Sequence, residues 1–258
     1  MNNEPASRRP RVICHMISAV DGRIVTGGWP LSKEGYGQYE QVHSSYEPEG
    51  WICGRVTMEH LAAGTRSDAD VTCEYEGPER EDFASPGAHG SFAIALDPRG
   101  KLLWDSGNLQ GDHVVAVLTH RVADEYLALL RERGVSYLLA GTEEVDLALA
   151  LEKIGARLGV RTLMLEGGGG INGSFLRAGL IDELSLLLAP VADGRSGTPT
   201  VFDVPGEEAG SAPASPGERG TPSGRCPLAP LPDHCARGRG RQRVRVRTRG
   251  GTGSAPGY

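Results

Sequence analysis

The sequence predicts an α/β protein built on a mostly parallel central sheet that helices flank. Between residues 11 and 188, short apolar runs of strand length alternate with amphipathic segments whose apolar residues recur at helical spacing. Strands joined through helices lie parallel, because a helical crossover returns the chain to the same end of the sheet. In addition, glycines directly follow two of the apolar runs, as at strand-to-helix turns.

Each predicted element follows from a local pattern. The predicted strands are the apolar runs at residues 11–18, 49–53, 91–96, 113–118, 136–139, 162–165 and 184–188. The predicted helices are residues 39–46, 122–133, 146–158 and 172–178, together with a segment that follows Gly54 and ends at Leu61. The segment 146–158 carries an apolar stripe. Gly134 and Gly179 end two of them, because glycine accepts the left-handed conformation of a helix C-terminus.

The stretch from residue 161 to residue 190 has the pattern strand, glycine turn, helix, strand. Glu166 ends the first apolar run, and four glycines follow it at 167–170. Glycine lets a ligand approach the backbone amides, and the first helical turn adds free N–H groups and partial positive charge. The turn therefore predicts a seat for a phosphate. A turn that serves only close helix packing is the alternative.

A second turn of the same kind follows the predicted strand at 49–53. Gly54 is followed by Arg55 and Thr57 at the start of a helical segment. Backbone amides and the Thr57 hydroxyl suit a diphosphate, and Arg55 supplies positive charge. Two such turns predict a dinucleotide held from two sides. Candidates for a 2′-phosphate contact, or alternatively solvated surface charges, follow other strand ends at Arg99, Lys101, His120 and Arg121.

Composition and charge narrow the class of protein. The formal net charge of −6 argues against a general nucleic-acid binder. The five cysteines include no C-x-x-C pair, so neither a zinc site nor a disulfide framework is expected, and Cys14 and Cys53 are expected in the core. The chain shows neither a signal-peptide core at its start nor an apolar run of membrane-spanning length, which predicts a cytoplasmic protein.

Four stretches lack a periodic apolar pattern. Residues 1–10 are predicted to be a disordered lead-in, residues 27–37 a loop, and residues 65–88 a surface excursion. Residues 206–258 hold 11 Gly, 7 Pro and nine Arg against four acidic residues, which predicts a disordered tail. Val244 and Val246 are its only strand-like trace. A basic nucleic-acid-binding tail, or translation of GC-rich DNA in the wrong reading frame, would have the same composition.

Three motifs carry a resemblance to a known family. They are SAVDGRI at 18–24, WICGRVTME at 51–59 and TLMLEGGGGINGSFLRAGLIDELSLLLAPVADG at 162–194. Their order resembles the reductase domain of bacterial riboflavin-biosynthesis proteins, the RibD C-terminal domain, in the dihydrofolate reductase-like superfamily. The resemblance implies a dihydrofolate reductase-like three-layer fold over residues 11–205, with the central sheet flanked by helices.

The resemblance also implies that NADPH binds in a cleft beside the sheet. Gly54, Arg55 and Thr57 match one set of cofactor contacts, and Ile17 and Ser18 would approach the nicotinamide. The glycine turn and the helix after it would supply the other contacts: Gly167, Gly168, Gly169, Gly170, Ile171, Asn172, Gly173 and Ser174.

Two acidic residues match further family positions. Glu166 matches a position that touches the substrate, and Asp21 matches the aspartate of the family's S-x-D-G-type motif. Holding the loop is the alternative role for Asp21. The resemblance assigns neither residue as the catalytic proton donor.

Two features depart from the family pattern. The family carries an Asp-Asp-Pro segment after the threonine of the second motif, whereas residues 58–63 here are Met-Glu-His-Leu-Ala-Ala. Arg66 is an approximate stand-in for the arginine that the family places at the ribose phosphate. Family members also end with strands that complete the sheet, and residues 206–258 do not show a pattern able to supply them. The substrate is the part of the resemblance that this chain matches least.

The reaction that the resemblance implies is hydride transfer from NADPH to a C=N or C=O bond, as in 5-amino-6-(5-phosphoribosylamino)uracil reduction. The alternatives are a dihydrofolate or pterin reductase and an NADPH-binding protein without catalytic activity. A homodimer is expected from the family. The apolar run at 184–188 suits a two-fold interface or, equally, burial inside the monomer sheet.

Overall fold

The computed structural model describes residues 9–31, 33–67 and 80–204, together with two strands at 225–228 and 242–247. This described part contains twelve strands and five helices. In chain order they are β1 (Arg11–Ser18), α1 (Lys33–Ser44), β2 (Gly50–Gly54), α2 (Arg55–Met58), β3 (Gly64–Thr65), β4 (Phe92–Leu96), β5 (Leu102–Leu103), β6 (Asn108–Leu109), β7 (Asp112–Leu118), α3 (Asp124–Glu132), β8 (Ser136–Leu139), α4 (Leu147–Leu158), β9 (Thr162–Leu165), α5 (Gly169–Arg177), β10 (Glu183–Leu188), β11 (Arg225–Leu228) and β12 (Gln242–Arg247).

Ten strands form one sheet in the order β11-β12-β10-β1-β9-β2-β4-β7-β6, and β8 also pairs with β7. The pairings from β12 through β7 to β8 are parallel, whereas β6 and β11 pair antiparallel at the two margins. Strands β3 and β5 form a separate antiparallel pair. The prediction of an α/β fold with a mostly parallel central sheet is confirmed.

Helices cover both faces of this sheet. On one face, α4 and α5 bury Leu151, Ile154 and Phe175 against the even-numbered side chains of β1 and their neighbours. On the other face, α2 and α3 bury Met58 and Tyr126. α1 lies over His15 of β1, where the rings of His15 and Tyr39 stack at 4.2 Å. Cys14 and Cys53 are buried free cysteines, as predicted.

The helices begin and end near their predicted positions, with three differences. α1 starts at Lys33, so residues 33–37, predicted as part of a loop, are helical. Glycines at 35 and 37 weaken the helix signal in the sequence, and packing of the helix on the sheet overrides that weak propensity. α2 ends at Met58 rather than continuing through Leu61. α5 starts at Gly169, three residues before the predicted start.

The N-terminal end of the fold lies further toward the start of the chain than the sequence indicated. Arg9 Nη2 lies 2.7 Å from Asp182 Oδ1, and Pro10 is buried, so these two residues belong to the fold. Residues 1–8 of the predicted lead-in, and residues 68–79 of the predicted excursion, lie outside the described residues.

Strands β11 and β12 lie inside the segment predicted to be a disordered tail, which corrects that prediction for these two stretches. β12 pairs in parallel with β10, from Glu183 opposite Arg243 to Leu187 opposite Arg247. Arginine and valine alternate with the period of two that a strand requires, and an open strand edge favours such pairing. β10 therefore lies between β1 and β12, inside the sheet. The remaining tail residues lie outside the described part.

The segment at 200–204 closes over the start of α5. The Asp203 amide donates to the Gly169 carbonyl at 2.9 Å, which fixes the backbone of this segment on the helix. The approach is so close that a Cβ on Gly173 would lie 2.3 Å from the Asp203 carbonyl oxygen. By contrast, a Cβ on Gly170 would meet no heavy atom within 4 Å. Packing therefore requires glycine at 173 and leaves position 170 open.

Gly173→Ala is expected to lower the free energy of unfolding by about 1–3 kcal/mol, the usual cost of overpacking. Gly170→Ala is the matched control. It is expected to leave stability unchanged or to raise it by up to about 1 kcal/mol, because alanine is the better helix former. Urea unfolding of the two variants measures the difference. Equal stability of the two variants would contradict the packing of 200–204 on α5.

Candidate functional site

The two predicted glycine turns lie side by side at one edge of the sheet. β2 and β9 are parallel neighbours, so their carboxyl ends meet. The Gly54 amide donates to the Gly167 carbonyl at 2.9 Å. A Cβ on Gly54 would lie 2.5 Å from Ile171 Cγ1, so the first turn packs directly under α5. A Cβ on Gly168 would lie 3.6 Å from Thr57 Oγ1, which places the Thr57 hydroxyl beside the second turn.

The N-terminus of α5 is the most suitable anion seat at this edge. The first intrahelical hydrogen bond runs from the Asn172 amide to the Gly168 carbonyl, so three amides, those of Gly169, Gly170 and Ile171, precede it without an intrahelical acceptor. The helix dipole adds partial positive charge. The peptide between Gly167 and Gly168 is cis, and Gly167 has a φ of 91°. Because position 170 is open, a ligand can reach these amides.

The predicted contacts on α5 divide between its two sides. Gly170, Ile171 and Ser174 lie on the open side, whereas Asn172 and Gly173 are buried on the other. The Asn172 side chain donates through Nδ2 to the Val201 carbonyl at 2.9 Å. These two residues therefore face the interior, where they have a packing role, and their contact with a cofactor stays a prediction.

Gly169 belongs partly to each side of α5. A Cβ at this position would lie 2.3 Å from the Thr200 carbonyl oxygen, so its Cα faces the covering segment. It can offer a ligand only its amide. Residues 169, 172 and 173 lie three and four positions apart, which places them on one face of the helix. This spacing explains why α5 has a buried side and an open side.

A cleft of about 660 Å³ opens beside the open side of α5. Three parts of the chain line it: the exit of β4, the loop before α4, and α5 itself. Its charged lining residues are Arg99, Glu143, Glu144, Asp146 and Arg177. Of the four cations considered for a 2′-phosphate, Arg99 lines this cleft, and Arg121 forms an ion pair with Glu143 at its margin. Lys101 and His120 are not among the lining residues.

Two further cations lie on the α2 side of the edge. Arg55 forms an ion pair with Glu59 one helical turn later. The guanidinium of Arg66 lies over the ring of Tyr126, 5.1 Å from the ring centroid. Arg66 is thus held against the α3 layer, which gives it a packing role in addition to the suggested contact with a ribose phosphate.

The end of β1 completes the edge. Ser18 is buried, and its hydroxyl has no hydrogen-bond partner in the described part of the chain. Met16 lies against the glycine turn, since a Cβ on Gly167 would be 3.1 Å from Met16 Cε. Side chains alternate along a strand, so Ile17 faces the opposite layer from Ser18. The two residues therefore border different sides of the site.

Asp21 holds its loop. Its Oδ2 accepts a hydrogen bond from the Gly194 amide at 2.8 Å, and this bond holds the pKa of the exposed carboxyl below its usual range. In the same region Trp29 Nε1 donates to Asp193 Oδ2 at 2.7 Å. The structure thus gives Asp21 the alternative role, the fastening of the loop after β1 to the loop after β10.

Glu166 lies at the end of β9 under α1. Its amide donates to the Ile52 carbonyl at 3.0 Å. Burial raises the pKa of its carboxyl to about 7, and the neighbouring Tyr39 hydroxyl opposes the rise. Oε1 lies 3.6 Å from His43 Nε2 and has no hydrogen-bond partner within the described residues. Near neutral pH, Glu166 is therefore divided between its protonated and ionised forms.

Sequence reasoning missed Tyr39 and His43 as neighbours of Glu166. They stand four residues apart on α1, and this spacing places them on one helix face. The spacing was visible in the sequence, but the partner that they face lies more than 120 residues away. Only the packing of α1 on the sheet reveals the contact.

The described residues contain neither a cluster of metal ligands nor a membrane-spanning helix. No group of three or more His, Cys, Asp or Glu side chains is placed there to hold a metal ion. Among the helices of that part, none has the length and apolar character needed to cross a membrane.

Comparison with known sequences identifies relatives over most of the chain. Residues 10–214 match the family model described as RibD C-terminal domain. The chain is 42% identical over 202 residues to the 2,5-diamino-6-ribosylamino-4(3H)-pyrimidinone 5′-phosphate reductase of Methanothermobacter thermautotrophicus, covering 76% of this chain and 84% of that protein. It is 30% identical over 201 residues to the protein of the same name from Archaeoglobus fulgidus, covering 76% and 87%.

Solved structures share the fold. A pyrimidine reductase-like protein from Corynebacterium diphtheriae superimposes with a TM-score of 0.58 at 15% identity, covering 83% of this chain and 88% of that one. RibD from Acinetobacter baumannii gives 0.54 at 18% identity, covering 82% and 54%. Together with the sequence matches, the fold defines an oxidoreductase of the dihydrofolate reductase-like class. The chain belongs to the RibD C-terminal domain family, the reductases of riboflavin biosynthesis, which confirms the resemblance drawn from its motifs.

Asn172→Ala is expected to lower the free energy of unfolding by about 1–3 kcal/mol, because it leaves the buried Val201 carbonyl without its donor. Ser174→Ala, on the open side of α5, is the control and is expected to keep its stability. Chemical denaturation measures both. If Asn172→Ala keeps its stability but binds a dinucleotide at least tenfold more weakly, Asn172 contacts the ligand and does not serve packing alone.

Proposed function

We propose that the chain is an NADPH-dependent reductase of a ribosylaminopyrimidine 5′-phosphate. The observation that carries the proposal is the meeting of two glycine turns and the open start of α5 at one edge of the sheet. Membership of the RibD C-terminal domain family supports it. No metal is required by this assignment.

The substrate is proposed from the named relatives. Those at 42% and 30% identity are reductases of 2,5-diamino-6-ribosylamino-4(3H)-pyrimidinone 5′-phosphate, which makes this compound the first candidate. The second candidate is 5-amino-6-(5-phosphoribosylamino)uracil, which carries an oxo group in place of the 2-amino group. Both contain the ribosylamino carbon that a hydride would reduce.

The residues present fit the diphosphate of a dinucleotide. The three free amides at the start of α5 supply donors aligned with the helix dipole. The Thr57 hydroxyl lies next to Gly168 and adds a further donor. Side chains at 168 or 170 would occupy this seat, so glycine at both positions keeps it open. When bound, NADPH supplies the hydride for the reduction.

The cleft beside α5 fits the adenosine half of the same cofactor. It continues from the diphosphate seat along Ile171 and Ser174. Arg99 and Arg177 offer positive charge there, and the ion pair with Arg121 offsets the charge of Glu143. Arg99 stands in the turn after β4 and is proposed to meet the 2′-phosphate.

The substrate is proposed to lie on the opposite side of the glycine turn, near Ile17 and Glu166. Ile17 is the penultimate residue of β1 and Glu166 directly follows β9. The two strands are parallel neighbours, so both residues lie at the same end of the sheet. The protein's contribution there is to hold the ribosylamino carbon against the nicotinamide and to limit the access of water.

Gly170→Asp is expected to weaken NADPH binding at least tenfold, because it sets a carboxylate against the phosphates in a position that is open in the fold. Gly170→Asn is the matched control: it fills the same space without the charge, so it is expected to weaken NADPH binding less than Gly170→Asp does. Fluorescence titration measures the dissociation constants, and thermal unfolding checks that both variants fold. Equal NADPH affinities of the two variants would contradict the placement of the diphosphate at the start of α5.

Arg99→Ala is expected to weaken NADPH binding by about tenfold, which is the scale of one charge-assisted contact. NADH binding is expected to stay unchanged, because NADH has no 2′-phosphate. Arg121→Ala removes a cation that is already paired with Glu143 and is the comparison variant. Titration with both dinucleotides gives the ratio of affinities. A similar loss for NADPH and NADH would place Arg99 away from the 2′-phosphate.

A further inference from the structure

We propose that Trp51 is a stacking platform for the pyrimidine ring of the substrate and that Asp112 holds its indole in place. Trp51 is a substrate-binding residue in this inference, and Asp112 is a positioning residue. The inference rests on the proposed function, because it deepens the placement of a ribosylaminopyrimidine phosphate near the end of β9.

The indole of Trp51 lies across the sheet. Trp51 belongs to β2, and its Nε1 donates to Oδ2 of Asp112, the first residue of β7, at 2.7 Å. β4 lies between these two strands, with Ala93 directly beside Trp51. The indole therefore crosses β4 over the small, buried side chain of Ala93. One flat face of the ring is turned to the sheet, and the other is turned away from it.

The ring offers a ligand its π surface. Trp51 is half-buried, whereas the other four residues of β2 are buried. The polar atom of the ring, Nε1, is already bonded to Asp112. What remains for a ligand is the flat apolar surface, which favours stacked contact with another planar ring.

A space between two helices lies above this ring. The register from Ile13 through Met164 to Trp51 puts these residues on one face of the sheet. On that face α1 packs on β1 and α3 packs on β8, with β9, β2 and β4 between them. In the described part of the chain, the helix over β2 and β4 on this face is α2, which has four residues and begins where β2 ends. Trp51 is the second residue of β2, so its indole borders the space between α1 and α3.

This space adjoins the proposed substrate position. The Glu166 amide donates to the Ile52 carbonyl at 3.0 Å, so Glu166 lies directly beside β2. Burial raises the pKa of Glu166 to about 7 and lowers the pKa of His43, and the charge of Asp112 acts on both groups. Because such an effect weakens with distance, the carboxylate that holds Trp51 lies near both side chains. A substrate that reaches Glu166 is therefore within reach of the indole.

A pyrimidine ring has the shape that this surface accepts. Both candidate substrates present the same flat ring, and their 2-amino or 2-oxo group lies at its edge. Stacking uses the face of the ring, so Trp51 is expected to bind both candidates alike. A base stacked on an aromatic side chain typically gains a factor of about 5 to about 150 in affinity.

The kinetic test compares Trp51→Leu and Trp51→Phe with the control Trp104→Phe, which changes a buried indole of the same core cluster. Trp51→Leu is expected to raise KM for either pyrimidine phosphate about tenfold or more, because leucine has no π surface. Trp51→Phe keeps a ring and is expected to keep KM within about threefold. In all three variants kcat and NADPH affinity are expected to stay near the wild-type values, whereas a purely structural role would lower them together with stability.

The role of Asp112 has its own pair of variants. Asp112→Ala leaves the indole N–H without its acceptor and is expected to raise KM about threefold, the scale of one lost hydrogen bond, with kcat unchanged. Asp112→Asn keeps a side-chain oxygen that can accept from Nε1 and is expected to restore the wild-type KM. Equal KM values of the wild type and Asp112→Ala would remove Asp112 from the inference.

Indole fluorescence gives a readout that needs no turnover. 2,5-Diamino-6-ribosylamino-4(3H)-pyrimidinone 5′-phosphate, added without a dinucleotide, is expected to quench the wild type and Trp104→Phe strongly and Trp51→Phe weakly. Quenching of wild-type size in Trp51→Phe, or an unchanged KM in Trp51→Leu, would overturn the platform and leave the proposed function standing. Quenching that depends on Trp51, by a compound that the wild type does not reduce, would overturn the proposed function alone. A wild type that neither binds nor reduces either pyrimidine phosphate would overturn both.

Discussion

The site depends on the close packing of the start of α5 against its neighbours. The turn after β2 lies beneath this helix, with the Gly54 amide bonded to the Gly167 carbonyl and Ile171 filling the space that a side chain at 54 would need. The segment at 200–204 covers the opposite side and leaves no room for a side chain at 173. Fixed from two sides, the helix presents its first amides to the third, open side.

The sheet supplies the reason that these pieces meet. Parallel neighbours end at the same edge, so β1, β9 and β2 deliver their following residues to one place although these are far apart in the chain. Glu166 gains its properties from the same arrangement, because the layer that contains α1 closes over the end of β9. One edge of the sheet therefore offers an anion seat on one side and a partly buried acid on the other.

The sequence predicted the features that depend on neighbouring residues, namely strand bounds and glycine turns. The bounds of β1, β8 and β9 were predicted exactly from apolar runs, and both glycine turns were found from composition. The start of α1 was missed, because two glycines mask a helix that tertiary packing stabilises. β12 was missed because its arginine-rich alternation lies in a stretch whose overall composition predicts disorder. The pairing of Glu166 with His43, and the buried side of α5, depend on contacts distant in sequence that no local pattern encodes.

Reduction of a ribosylaminopyrimidine phosphate by the purified full-length chain tests the account most directly. NADPH oxidation would be followed with 2,5-diamino-6-ribosylamino-4(3H)-pyrimidinone 5′-phosphate, and the product would be identified by mass spectrometry. The account predicts that one NADPH is oxidised for each ribosylamino group reduced. Tight NADPH binding without oxidation in the presence of either pyrimidine phosphate would contradict it and would favour a dinucleotide-binding protein that has lost catalysis.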